Sequence, residues 1–395
     1  MKKRILAYAT LTACFIFSGR PVAAEPFQQL LDKLTEKGVL TKEESKDLLS
    51  EKNKDKGQAD KMPQLKLSGY MQLRYTYNEN DEALESDSYL KGKYSDRDGF
   101  GIRRAYIILS GKLLPDLMFK LSGDIPTMND YKSKDAAFTL RDAYVSYEPC
   151  VYGKLKAGQF KVPFGLEYPT SSTKLLTPNR SLVVNSLDPN RDIGLQLSGG
   201  VPNQILNYSL GIFNGAGSNH GNSNDPFMYV GRLEIGTPKD FTLAENSFLF
   251  KIGASGLRSE VEKGYKYIDD DSFAGRQIMW GMDAELDFAG LNLRAEYIKS
   301  NLDHQDIDED TDKDGFYVQG AYFIIPKTLQ AVAKYEEYDA DTDEADNHDK
   351  RWTTLGLNYY LKGHDVILAL NYIIKDESGD NLTDDTVFTQ LQVRF

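Results

Sequence analysis

Leu65-Lys66-Leu67-Ser68-Gly69-Tyr70-Met71-Gln72-Leu73-Arg74-Tyr75-Thr76-Tyr77 is the stretch that decides the fold. Leu65, Leu67, Gly69, Met71, Leu73, Tyr75 and Tyr77 share one parity, while Lys66, Ser68, Gln72, Arg74 and Thr76 share the other. Side chains alternate between the faces of a strand, so the segment predicts a strand with one apolar and one wet side.

The same period of two runs from here to the C-terminus. Segments of this kind begin near residues 65, 100, 117, 137, 152, 193, 205, 227, 248, 276, 291, 314, 328, 350, 364 and 387, about sixteen in all. Their connections alternate in length. Leu114-Pro115-Asp116, Glu148 to Gly153, Ala289-Gly290, Pro326-Lys327 and Lys362-Gly363 are short, whereas 78–99, 126–136, 161–192, 215–226, 258–275, 301–313, 339–349 and 376–386 are long and mostly polar. A soluble sandwich has no reason to sort its loops by length onto opposite ends, but a membrane barrel has short periplasmic turns and long outer loops. The expectation is an all-β protein, a 16-stranded antiparallel transmembrane β-barrel over residues 63–395. The last strand agrees: with Phe395 outward, Val387, Leu391 and Val393 meet lipid while Gln390, Gln392 and Arg394 face the lumen.

The composition fits this reading. The chain holds 24 Tyr and 19 Phe, yet no run approaches the roughly 18 consecutive apolar residues of a membrane helix. Residues 1–24 read as a cleaved secretory signal, with Lys2, Lys3 and Arg4 before an apolar run and Val22-Ala23-Ala24 at the cleavage site. Leu11-Thr12-Ala13-Cys14 is a rival lipoprotein box, but cleavage there would leave Phe15, Ile16 and Phe17 on the mature chain. Residues 25–62 form a short helical segment and linker: Phe27, Leu30, Leu31 and Leu34 share a face, and Thr41 with Glu44 makes a capping box. Export places the barrel in the outer membrane of a Gram-negative bacterium.

A net charge of -12 argues against nucleic acid as a partner. After signal cleavage Cys150 stands alone, which excludes an internal disulfide and thiolate metal sites. No GxSxG, HExxH or phosphate-binding glycine loop is present, and no enzyme or cofactor is expected. The run Asp306, Asp308, Asp310, Asp312, Asp314, Gly315 has the alternating carboxylates of a calcium loop without its central glycine or closing glutamate, so only loose Ca²⁺ or Mg²⁺ association at the outer loops follows.

Alternation places Arg74, Lys120, Arg232, Arg294 and Lys334 among the lumenal charges, with Asp124, Asp142, Lys154, Lys156, Asp283, Glu285, Glu296 and Glu336. The bland reading of each is solvated wall. The sharper reading is a ring of one sign in a constriction, where low-dielectric walls focus the field on a permeating ion. The connection from Val162 to Asp192 is the candidate constriction, because it is long yet carries Phe164, Leu166, Tyr168, Leu175, Leu176, Leu182 and Val183. Lys161, Lys174, Arg180 and Arg191 would be the basic groups nearest its narrowest point.

Together, IRRAYIILSGKL at 102–113, GQFKVPFGLE at 158–167, TSSTK at 170–174, NRSLV at 179–183, RDIGLQLSG at 191–199, FNGAG at 213–217 and the terminal FTQLQVRF resemble the phosphate-selective porins O and P. The resemblance spans the barrel and implies a sixteen-stranded, homotrimeric porin passing small anions such as phosphate along a ladder of arginines. By motif, Arg103 and Arg104 would be ladder members, Lys174 a binding-zone lysine and Arg180 a loop arginine. Two adjacent arginines cannot both face the lumen of a regular strand, and strict alternation sends Arg103 into lipid. An arginine at the bilayer midplane costs about 2–4 kcal/mol, so a bulge, the rim or a subunit interface must relieve it. Competing expectations are a non-selective or cation-preferring porin, and a surface barrel for divalent-ion binding or adhesion.

Overall fold

The computed structural model describes Lys42, Glu43 and Lys46, then residues 64–79, 98–125, 138–222, 226–261, 274–305, 310–342, 349–377 and 385–395. The chain divides into two units, Met1–Pro63 and Gln64–Phe395. Lys42, Glu43 and Lys46 are helical; the export signal, the rest of the helical segment and the linker lie outside the described residues.

The second unit is a closed antiparallel sheet. Its strands are β1 (Gln64–Asn78), β2 (Gly99–Leu114), β3 (Leu117–Asp124), β4 (Thr139–Cys150), β5 (Gly153–Lys161), β6 (Arg191–Gly200), β7 (Leu206–Phe213), β8 (Met228–Gly236), β9 (Thr242–Leu243), β10 (Asn246–Val261), β11 (Gly275–Phe288), β12 (Leu291–His304), β13 (Asp310–Ile325), β14 (Leu329–Asp339), β15 (Lys350–Lys362), β16 (Val366–Glu377) and β17 (Thr386–Arg394). Neighbours in sequence pair with one another, β8 passes to β10, and β1 pairs with both β2 and β17, closing a ring of sixteen. β9 is a two-residue strand clipped to the start of β10. No helix among the described residues is long and apolar enough to cross a membrane. The strands cross instead, and closure leaves no edge whose N–H and C=O groups would meet hydrocarbon unpaired.

Alternation survives folding. On β11, Ile278, Trp280 and Met282 point outward and are exposed, while Gln277, Met279 and Asp283 are buried inside. The interior departs from expectation in its outer half, part of which is lined by apolar residues. Met228, Val230, Leu257, Met279, Ile298 and Tyr317 are buried there in one cluster with Val162, Phe164, Leu182, Val183, Val184 and Leu187. The second group belongs to the segment between β5 and β6, which carries a short helix α1 (Leu182–Leu187) and packs on β12, β13 and β14. Inward apolar residues appear where that segment covers them. Each buried aliphatic side chain contributes about 1.5–3 kcal/mol, which makes the segment part of the barrel's core.

Two bulges break the alternation on one wall. Opposite β1 the register jumps from Gln72↔Arg104 to Leu73↔Ile102, so Arg103 is the extra residue. Opposite β3 it jumps from Leu121↔Ala143 to Gly123↔Leu140, so Arg141 and Asp142 share the place facing Ser122. A bulge sets two consecutive residues on one side of the strand. This resolves the Arg103 problem by the first of the three routes, and it draws Arg141 inward as well.

The seam between β1 and β17 is locked at the C-terminus. Gly69 N–H donates to the Phe395 carbonyl at 3.0 Å, and Phe395 N–H donates to the Gly69 carbonyl at 3.0 Å. The Phe395 ring lies over Gly69, where an added Cβ would sit 2.7 Å from its Cζ and 2.5 Å from the Tyr106 carbonyl oxygen. Gly69→Val is expected to destabilise the barrel by about 1–3 kcal/mol, the usual cost of overpacking. Guanidinium unfolding in lipid vesicles, read as loss of the compact electrophoretic band, measures it.

Candidate functional site: the internal segment and its basic wall

The connection between β5 and β6, residues 162–190, runs inside the barrel, where side chains of the wall hold its backbone. Glu296 accepts from Leu166 N–H at 2.9 Å and from Glu167 N–H at 3.0 Å. Glu336 accepts from Leu182 N–H at 2.7 Å, and Asn358 donates to the Leu176 carbonyl at 2.8 Å. Gln392 donates to the Thr173 carbonyl at 3.1 Å, and Arg74 reaches Asn179 at 3.0 Å. Within the segment, Glu167 accepts from Ser181 N–H and Oγ, and Ser181 Oγ in turn caps α1. With its backbone bonded to side chains of several different strands, the segment is fixed rather than draped.

Gly165 is required at the tightest of these contacts. Its φ of +67° lies in the left-handed region, and a Cβ there would meet Glu296 Oε1 at 2.0 Å. Conformation and space exclude a side chain together.

Four of the basic residues singled out by sequence come together where the wall meets this segment, Lys161, Arg103 and Arg104 from the wall and Arg180 from the segment. Lys161 Nζ donates to the carbonyls of Tyr168 and Thr170 at 2.5 and 3.0 Å. Arg180 Nη2 donates to the same two carbonyls at 3.3 and 2.9 Å. Both cations also lie over the Tyr168 ring, at 4.9 and 5.0 Å. Arg104 donates to Gln72 Oε1 at 2.9 Å, and its like-charge neighbours are Arg103 and Arg180. Among the described residues none of these four cations has a carboxylate within ion-pair distance, and the Nε groups of Arg103 and Arg180 are buried without an acceptor. The result is concentrated positive charge held by carbonyls and a ring face.

The remaining candidates are placed differently. Arg191 pairs with Asp142 at 2.8 Å, and Asp142 also binds Lys120 at 2.7 Å. Across the barrel Arg232 forks onto Asp283, Arg294 binds Glu285 and the buried Lys334 binds Glu336. Arg74 lies over the Phe388 ring and donates to Gln390. Lys174 is separate: it is exposed in the middle of the segment, next to Thr173, whose carbonyl Gln392 bridges to that of His364.

Sequence reading missed Arg141, because alternation from Asp142 sends it to lipid. Two adjacent charges inside an alternating strand, as in Arg103-Arg104 and Arg141-Asp142, are the signal of a bulge that reveals it. Lys156, read only as lumenal, lies over the rings of Tyr144 and Phe160. Two family-like motifs prove to be one structure: Asp192 of RDIG accepts from Gly215 N–H of FNGAG at 2.7 Å and fastens that turn.

The alternating carboxylates can be followed only in part. Asp310, Asp312 and Asp314 lie in β13, with Asp312 bound to Lys299 at 2.6 Å and Asp314 accepting from Tyr297 at 2.8 Å. Asp306 and Asp308 lie outside the described residues. Among the described residues no cluster of three or more suitable side chains could hold a metal.

A sixteen-stranded closed barrel with an internal segment and a charged wall defines a porin. The family model for phosphate-selective porin O and P matches residues 71–395, and the chain belongs to that family. It is 26% identical over 443 aligned residues, spanning all of both chains, to an uncharacterized protein of Aquifex aeolicus (strain VF5). Its fold is similar to that of an anion-selective porin from Comamonas acidovorans, with a TM-score of 0.60 and 15% identity over 85% of this chain and all of that one. Salmonella typhi OmpF gives a TM-score of 0.59 and 14% identity over 85% of this chain and 99% of that one. The protein is a porin, and its activity is passive transport across the outer membrane.

Two measurements probe the segment. Gly165→Ala should release its first turn, raising single-channel conductance and current noise in planar bilayers without loss of the folded barrel. The second concerns Asp188, in the stretch that leads out of α1. Burial pushes its carboxyl well above the usual carboxylate range, although Asn190 N–H and Arg180 oppose the shift. An acid raised in this way is neutral at low pH and gains its charge as pH rises through the raised value, beside Arg180 and Lys161. Its contribution to stability is lost over the same interval. Reversal potentials should therefore drift toward cations as pH rises, and Asp188→Asn should flatten that drift.

Proposed function

We propose that this porin prefers anions and that the segment between β5 and β6 is its constriction. The observation that carries this reading is the sharing of two carbonyls and one ring by Lys161 and Arg180. Lys161 and Arg180 are packed on neutral partners rather than on carboxylates, and Arg103 and Arg104 extend the same basic patch. The paired cations of the opposite wall, Arg232, Arg294 and Lys334, serve structure instead. An oxyanion such as phosphate suits guanidinium groups, which bind oxygen pairs in a fork. The fold neighbour from Comamonas acidovorans is described as anion-selective, which agrees with this reading. Assembly as a homotrimer, export by cleavage after Ala24 and a periplasmic place for residues 25–62 complete the proposal.

A cation-preferring channel is the second reading, favoured by the carboxylates at the outer ends of β12, β13 and β14, among them Asp303, Asp310 and Asp339. Those groups lie at the outer rim, while Lys161 and Arg180 meet at the internal segment.

Reversal potential in a KCl gradient across planar bilayers decides between them. Wild-type protein should favour chloride, and Arg104→Gln with Arg180→Gln should reduce the anion-to-cation permeability ratio about tenfold, taking about threefold for each unit charge a few ångströms from the ion path. Lys174→Gln should have a far smaller effect. A cation-selective wild type would overturn the reading.

A further inference from the structure

The geometry points to Arg141 as a specificity-determining residue whose charge is divided between Asp124 and the passing anion. The inference rests on the anion reading for its direction of flow but not for its test. Arg141 enters the lumen only because of the bulge at Arg141-Asp142. Three observations set it apart from its neighbour Arg191.

The first is access. Arg191 has a side chain only 10% exposed, whereas the Arg141 side chain is 35% exposed. The second is the completeness of each pairing. Arg191 Nε donates to Asp142 at 2.8 Å, its Nη1 reaches the Tyr168 hydroxyl, and Lys120 lies on the other oxygen of Asp142. Arg141 makes a single contact, Nη2 to Asp124 Oδ2 at 3.0 Å, and its Nε is buried without an acceptor. Asp124 is equally incomplete, with Oδ1 buried and unbonded. The third is support: the guanidinium lies 6.0 Å from the centre of the Tyr106 ring, which stacks on Tyr70 at 4.9 Å. A ring face steadies a cation without neutralising it.

A partly exposed ion pair with one bond is weak, and a solute oxyanion competes for such a guanidinium far better than for a buried, fully bonded one. Asp124 and Arg141 sit at the outer ends of β3 and β4, with Arg191 as the next cation. Arg141 therefore meets an incoming anion early, and Asp124 sets how much of its charge the anion feels. No bond is made or broken in this role; the residue acts through charge alone.

The two partners make opposite predictions, which a merely structural pair would not. In full-length protein in planar bilayers under a KCl gradient, Arg141→Gln should lower the anion-to-cation permeability ratio about threefold, and Asp124→Asn should raise it by a similar factor, as expected of one unit charge near the path. Arg141→Lys should hold the wild-type value. Opposite shifts support the inference whatever the wild-type preference, so a cation-selective wild type would overturn the anion reading alone. Shifts of the same sign, or no shift in the folded Asp124→Asn channel, would overturn the role of Arg141. Should Arg141→Gln fail to fold, the Asp124→Asn and Arg141→Lys channels still decide.

Discussion

Hydrocarbon offers no hydrogen-bond partner to a peptide group, and nearly everything in this barrel follows from that. Each strand must be paired along both edges, so the sheet has to close, and β1 has to meet β17 as well as β2. Closure creates an inside and an outside, and alternation then divides every strand between lipid and lumen. The Gly69–Phe395 contact matters in this light because it finishes the last seam. A glycine is needed where a terminal aromatic ring lies flat against the neighbouring strand.

The inside has its own requirement. A ring of sixteen strands is too wide for wall side chains to fill alone, and the segment between β5 and β6 occupies part of the space. It brings apolar residues that pair with inward apolar residues of the outer half, and it brings backbone groups that need acceptors and donors. Glu296, Glu336, Asn358 and Gln392 supply them from four different strands. The buried carboxylates are thus committed to peptide N–H groups, and Lys334 is committed to Glu336. On the opposite side Lys161 and Arg180 are held instead by carbonyls and a ring face.

The bulges show how a regular lattice accommodates an irregular requirement. A strict two-residue period permits one inward charge per pair of residues. One extra residue in β2, and another in β4, sets adjacent residues side by side in the lumen and raises the local charge density on a single wall. The ladder is disturbed over one residue, and the rest of the strand recovers its register.

Much of this was legible in the chain. Alternation from Leu65 onward, the sorting of short and long connections and the terminal Phe395 were enough for the barrel, its strand count and strand starts good to within four residues, because lipid and water impose a period that no local propensity can mimic. The long apolar connection was recognisable for the same reason: greasy residues without a period need a surface to cover. Tertiary structure alone decided which charges remain available. Arg232 and Arg180 look alike in sequence, yet one faces Asp283 across the sheet and the other faces two carbonyls. Partnership of that kind depends on residues brought together by closure and by the inward fold of one segment, and sequence spacing holds no record of it. The bulges lie between the two cases: the doubled charges announce them, but only the register shows that both side chains turn into the lumen.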